Sequence, residues 1–286
     1  MGGSGVRASL VVHQLGAAMV IAQAGAAVQA PVHDRRPATV VFQPLLADPK
    51  EPRFFATYLW ARSPRLASRL GSVGFGQTIG LWRGRDWQLA IAAGVFSEFN
   101  MQSSTTDLLN TDYLVGLPLT YRHGSLATRL RVFHQSSHLG DEYMVHANAR
   151  RIDLTFQAVE LLVASETSRW RVYGGGDYVF AHSPTDLKPG VLHGGVEFRQ
   201  PRSWLRLGRV TTGRLVAGLD VKSTQDRGWQ LGWSMVTGLE LGDPSAAPES
   251  GWRWSVLLKG YTGPAPYGEF YRDHVSSVGV GVGFTL

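Results

Sequence analysis

The chain has no cysteine, so disulfides and thiol chemistry are both excluded. Charged residues make up only 17% of it, below the usual quarter. No run of 18 apolar residues occurs, so no ordinary helix spans a membrane. The net charge of +6 is spread out. There is no Lys/Arg block of the kind that follows a phosphate backbone, which argues against nucleic acid as a partner. The short pairs Arg35-Arg36 and Arg150-Arg151 read as loop or lumen charges. A nucleotide loop is also missing, because GVGVGF at 279–284 alternates as a strand and no helix follows it.

Glycine and aromatic residues are plentiful: Gly 34, Trp 9, Tyr 9 and Phe 12. Near the start, Arg7 precedes LVVHQLGAAMVIAQAGAAVQA, an Ala/Val-rich run ending in small residues. This reads as a secretory signal peptide over 1–30, cleaved within 24–30. Residues 31–53, rich in Pro and charge, form an irregular periplasmic lead-in.

From Phe54 onward the pattern alternates with period two. Tyr113, Val115, Leu117, Leu119 and Tyr121 share one face, and Trp229, Leu231, Trp233 and Met235 share another. Twelve half-apolar strands are expected, near 54–60, 72–83, 86–97, 111–122, 125–137, 150–164, 168–181, 190–200, 213–223, 227–241, 250–261 and 275–286. Most exceed the usual strand length in globular sheets. Aromatics end the apolar stripes: Tyr113 and Tyr121, Trp229 and Trp233, Trp252 and Trp254, Trp170 and Phe180. Tyr113 and Tyr121 stand about 26 Å apart along a strand, close to the apolar band between aromatic girdles. The opposite faces carry Arg129, Arg131, Arg171, Asp177, Glu197, Arg253 and Lys259.

A soluble barrel would alternate in the same way. Strand length, connections that switch between tight and long, and the terminal VGVGVGFTL favour the membrane version. That ending resembles the sorting strand of bacterial outer-membrane barrels. The fold class is therefore all-β: a single closed antiparallel transmembrane β-barrel of about twelve strands over 54–286, located in the bacterial outer membrane.

One stretch could carry chemistry: RVFHQSSHLGDEY, 131–143. On the fifth strand Leu126, Leu130 and Val132 share a face with His134, Ser136 and His138, while Arg129 and Arg131 take the other. Arginines belong in the polar lumen, so His134 and Ser136 look toward lipid. Ser136 lies about 36 Å of strand above the turn at 122–125, or about 28 Å of height, at the upper interface. Serine needs a base, and the base a third group to hold its ring. Taking Ile152, Leu154 and Phe156 as the lipid face of the sixth strand and counting back by two gives Asn148. The expected catalytic set is His134, Ser136 and Asn148.

His-x-Ser followed by Asn fourteen residues after the His is similar to outer-membrane phospholipase A, a twelve-stranded barrel. The resemblance implies His134 as base, Ser136 as nucleophile, Asn148 as the group orienting His134, and calcium assisting the oxyanion. Ser136-Ser137-His138-Leu139 departs from the Ser-Asn-Gly-Arg of that family, which puts the calcium site in doubt. The lipid A 3-O-deacylase barrel similarly uses His-x-Ser with a carboxylate. FQPLLADPKEPRF (42–54) with FHQSSHLGDEY (133–143) resembles the bacterial domain-of-unknown-function 1207 family, predicted outer-membrane proteins.

Other readings stay open. A second His-x-Ser, His274 and Ser276, also sits at a strand end. His134, His138, Asp141, Glu142 and His146 offer nitrogen and oxygen to a metal. Asp141 and Glu142 could hold a calcium bridging lipopolysaccharide phosphates; calcium is the one cofactor suggested. A narrow passive pore or a structural barrel without catalysis is the alternative to a lipid acyl-ester hydrolase. In a pore the lumen cations Arg129, Arg131, Arg171 and Lys259 would favour anions, unless 31–53 plugs it. Outer-membrane lipid is the expected partner, and pairing of two barrels into a homodimer is left open.

Overall fold

The computed structural model describes residues 41–149, 152–207, 211–242 and 253–285. The signal-peptide reading of 1–30, the pairs Arg35-Arg36 and Arg150-Arg151, and Trp252 and Leu286 lie outside the described residues. The strands are β1 (Phe54–Arg62), β2 (Arg69–Arg83), β3 (Trp87–Asn100), β4 (Leu108–His123), β5 (Leu126–Leu139), β6 (Thr155–Glu166), β7 (Trp170–Ser183), β8 (Gly190–Arg199), β9 (Leu205–Leu207), β10 (Thr211–Thr224), β11 (Gln230–Gly242), β12 (Arg253–Pro264) and β13 (His274–Thr285). One helix, α1 (Asp141–Ala147), lies between β5 and β6.

Twelve strands pair antiparallel with their sequence neighbours, and β1 pairs with β13, which closes the barrel. The three-residue β9 is extra: it pairs with the first residues of β10 inside the long 200–210 connection. Closure leaves no sheet edge, so every wall strand has a hydrogen-bonded neighbour on both sides.

The wall is apolar outside. Tyr113, Val115, Leu117, Leu119 and Tyr121 are all exposed, as are Leu231, Trp233 and Met235 on β11 and Val278, Val280 and Val282 on β13. Their alternating neighbours face the lumen. Two aromatic girdles bound the stripe. Trp82, Trp87, Tyr121, Trp170 and Trp254 mark the rim of the tight turns, and Trp60, Tyr113, Tyr178 and Trp229 mark the rim that bears α1. Trp170 packs on Phe198 at 5.0 Å and Trp254 on Phe284 at 4.8 Å between ring centres. Aromatic rings with one polar edge settle at such a boundary because one side is wet and the other greasy.

The lumen is filled. Arg129 pairs with Glu160 and Glu51 at 2.7 Å, Arg131 with Glu160 at 2.6 Å, and Arg171 with Glu197 at 2.6 Å. The expected anion-attracting arginines are thus neutralised by buried carboxylates. Each such carboxylate is acceptable in a dry interior only because it is paired and hydrogen-bonded.

Residues 41–53 lie inside this wall, where the sequence placed a lead-in. Leu45 is fully buried and, with Phe42, packs on Ala127, Leu162, Ala164 and Tyr173. Leu46 and Ala47 pack on Val216, Val236 and Leu257. The wall supplies the partners an irregular backbone needs. Arg171 donates to the Gln43 and Pro44 carbonyls at 2.7 and 2.8 Å, Ser234 donates to the Ala47 carbonyl at 2.7 Å, and the Leu46 amide donates to Glu197 at 2.6 Å. Lys222 pairs with Asp48 and Lys50 with Asp112, each at 2.8 Å. Charge in 42–54 therefore holds the segment as a plug.

At the helix rim the 3-10 turn Gly268–Phe270 covers the mouth. Gly268 has φ +64°, and a Cβ there would lie 2.0 Å from Asn110 Oδ1. Only glycine meets both constraints. A cavity of about 200 Å³ remains between plug and cover, lined by residues including Arg131, Asp177, Lys222 and Tyr271. The Tyr271 hydroxyl, buried without a hydrogen-bond partner among the described residues, is pushed up to about 12 by burial, against the neighbouring Arg272.

Candidate functional site on the outer wall

On β5 the inward residues Arg131, Phe133, Gln135, Ser137 and Leu139 are buried. His134 and Ser136 alternate with them and share the outward face with exposed Val132 and Leu130. The strand puts Ser136 opposite Tyr113 and His134 opposite Val115. Tyr113 belongs to the upper girdle, so Ser136 stands level with it and His134 one step deeper. The outward orientation expected from the arginine face is what the structure has.

The third group differs. β6 begins only at Thr155, and Leu154, Ala158, Glu160, Leu162 and Ala164 are the buried, inward set. Its lipid face is Gln157, Val159, Leu161 and Val163. Asn148 sits in the left-handed conformation (φ 47°) as the cap ending α1 and is exposed. It is therefore not on the strand that flanks His134. Ladder pairing sets Gln157 directly across from His134, with its amide nitrogen 3.0 Å from His134 Nδ1.

The amide can present either end, since its oxygen and nitrogen exchange by a flip. With the oxygen toward the ring, it accepts from Nδ1–H, and Nε2 is left as the basic nitrogen. That is the tautomer a serine base requires. Ser136 shares the face two residues along and has no side-chain hydrogen bond among the described residues. Such contacts often tighten only when substrate is present.

The metal expectation fares differently. Asp141 and Glu142 occupy the exposed first turn of α1, where carboxylates favour the helix start. Consecutive helix positions point their side chains about 100° apart, so the pair does not converge. Among the described residues no group of three His, Cys, Asp or Glu could hold a metal ion. His138 instead packs edge-on against Tyr113 at 5.8 Å, and His146 lies 3.3 Å from Asp107. These residues do not fit a calcium ion.

Asp107 ties the β3–β4 loop to α1. The Thr105 hydroxyl holds its carboxyl below the ordinary value; hydrogen bonds from Ser103 and His146 add to this, and burial opposes it. A depressed carboxylate stabilises the fold above its unfolded pKa, and that share is lost as pH falls through the folded value. Docking of α1 should thus loosen below about pH 4. Protection factors of the amides across 141–147, corrected for the pH dependence of intrinsic exchange, should fall on acidification in wild type and be lower already at neutral pH in Asp107→Asn.

Closed pairing, aromatic girdles and a plugged polar lumen define an outer-membrane-type β-barrel. Solved structures agree. Outer membrane phospholipase A from Escherichia coli superposes with TM-score 0.54 at 15% identity, covering 85% of this chain and 93% of that one. The Salmonella typhi outer membrane phospholipase dimer with bound calcium gives 0.52 at 16%, covering 82% and 91%. At such identity the likeness is one of fold. The chain belongs to the family described as protein of unknown function DUF1207, whose model matches residues 16–286. No curated protein matches it.

Proposed function

We propose that this protein is a bacterial outer-membrane hydrolase that cleaves acyl esters of membrane lipids on its outer wall. The observation that carries this reading is the His134 ring on the lipid-facing surface, with Nδ1 held by Gln157 and Ser136 on the same face. Polar groups on a barrel's outer wall are costly at mid-depth and cost little at the interface; at girdle height what marks this pair is an imidazole fixed by an amide, next to a serine with no side-chain hydrogen bond among the described residues. In this scheme Ser136 Oγ attacks the ester carbonyl and its proton passes to His134 Nε2. The acyl–oxygen bond breaks and the proton goes to the departing alcohol. Water then attacks the acyl-serine, frees the fatty acid and restores Ser136. The ester lies at the height of the upper girdle, so substrate reaches the site laterally from the bilayer.

The test is fatty-acid release from phospholipid by the refolded full chain, with and without calcium. Release is expected in both conditions; absence of release in both would remove the hydrolase reading. The pore reading has less support, because the plug fills the lumen and its arginines are paired. Planar bilayers holding wild type should show no steady conductance. Deleting residues 41–50 should produce discrete openings, and openings of wild type would favour the pore.

A further inference from the structure

The wall formed by β12, β13 and β1, away from His134, carries a second outward polar cluster. His274 and Ser276 begin β13 and face outward with Val278 and Val280. Ladder pairing places Thr262 on one side of Ser276 and Arg62 on the other. The Thr262 and Ser276 hydroxyl oxygens are 2.9 Å apart, and His274 Nε2 is 3.4 Å from the first and 3.5 Å from the second. Arg62 is exposed and forms no ion pair among the described residues. The adjacent carboxylate, Asp273, is taken up by Arg65 at 2.5 Å.

This cluster is not a second hydrolytic site. His274 Nδ1 has no partner among the described residues to hold the ring, and its Nε2 is divided between two hydroxyls. What it offers is a guanidinium beside a hydroxyl pair in which one O–H is donated to the other oxygen and, when His274 Nε2–H donates to the pair, the second O–H is free to donate. Such a set suits a tetrahedral oxyanion.

Its depth selects the source of that anion. Trp60 pairs with Val278 and Arg62 with Ser276, so the donors lie one step beyond the Trp60 girdle. Directly beneath them are exposed Trp60, Val278, Val280 and Leu258. Polar donors above an apolar stripe match a headgroup above its chains. We infer that Arg62, Thr262, His274 and Ser276 bind the phosphate of a membrane phospholipid whose acyl chains lie along Trp60, Val278 and Leu258. The site is independent of the proposed hydrolysis and would hold a lipid at the wall without cleaving it.

The test uses dialkyl ether lipids, which contain no ester and so are blind to hydrolysis. Native mass spectrometry of the full chain in micelles would compare dialkyl phosphatidic acid, dialkyl phosphatidylglycerol and dialkylglycerol, with inorganic phosphate as competitor. Both phosphate lipids should stay bound and dialkylglycerol should not. Arg62→Gln and the double variant Thr262→Val with Ser276→Ala should each weaken retention about tenfold, the scale of a lost charge-assisted hydrogen bond. Arg62→Lys should keep most of it. Heat-modifiable electrophoretic mobility verifies that each variant is a folded barrel. Equal retention of dialkylglycerol, wild-type retention by the folded variants, or displacement by inorganic phosphate at the lipid's own concentration would each overturn the inference.

Discussion

Ser136→Ala is expected to lower fatty-acid release by about 10³-fold or more, since removing the nucleophile of a concerted unit costs nearly the whole covalent route. His134→Ala should cost a similar factor, because an unactivated hydroxyl is a weak nucleophile. The more instructive comparison is between Gln157 and Asn148. Gln157→Leu removes the group that holds the ring and should cut turnover by about 10²-fold, within the range for losing an oriented base. Gln157→Glu offers oxygens only and should retain activity, because the required contact is acceptance from Nδ1–H. Asn148→Ala should change little, since Asn148 is an exposed cap at the end of α1. Kinetics of the folded variants on one phospholipid decides the matter. Loss of activity in Asn148→Ala with retention in Gln157→Leu would show that the helix turn, not β6, supplies the third group.

Glu160→Gln should destabilise the barrel by about 3–5 kcal/mol, the cost of breaking a buried charge pair from one side. Glu160 is 1% exposed and accepts from both Arg129, at 2.7 Å, and Arg131, at 2.6 Å. Replacing it with a neutral amide strips two buried guanidiniums of their shared counter-charge. Arg129 keeps Glu51 of the plug, so the plug becomes its remaining anchor. Urea unfolding in detergent, followed by loss of the electrophoretic shift, measures the change. Arg214→Gln, near the turn rim and opposite half-buried Glu240, provides the comparison and should cost about 1 kcal/mol or less, as partly solvated pairs do. Equal effects at the two positions would mean that the lumen is hydrated enough to screen its charges.

Much of the barrel is legible from alternation alone. The stripes through Tyr113–Tyr121 and Trp229–Met235 are outward, and each of the twelve expected strands has a counterpart in the wall. Period two determines faces wherever one face must be greasy. The expectation failed on the sixth strand, where Leu154 and Phe156 are apolar but face in, and Ile152 lies before the strand begins. Apolarity does not fix direction there, because the lumen beneath α1 is itself apolar around Phe133 and Phe156. Charge does fix it. Glu160 cannot face hydrocarbon, and counting back from it by odd steps reaches Gln157 as the outward residue. The helix over 141–147 hid this by breaking the count between His134 and its partner. The plug left a trace too: Asp48, Lys50 and Glu51 mirror charges on the inward faces, but sequence spacing alone does not say that they meet.

The most direct measurement of the central claim, that the chemistry lies on the lipid-facing wall, is covalent labelling with a long-chain alkylsulfonyl fluoride. An activated serine displaces fluoride and keeps the sulfonyl group, and the alkyl chain restricts the reagent to the membrane. Peptide mapping should locate one label at Ser136, absent in His134→Ala and much reduced in Gln157→Leu. Folded wild-type protein that stays unlabelled, or a label that persists at another serine when Ser136 is alanine, would contradict the account.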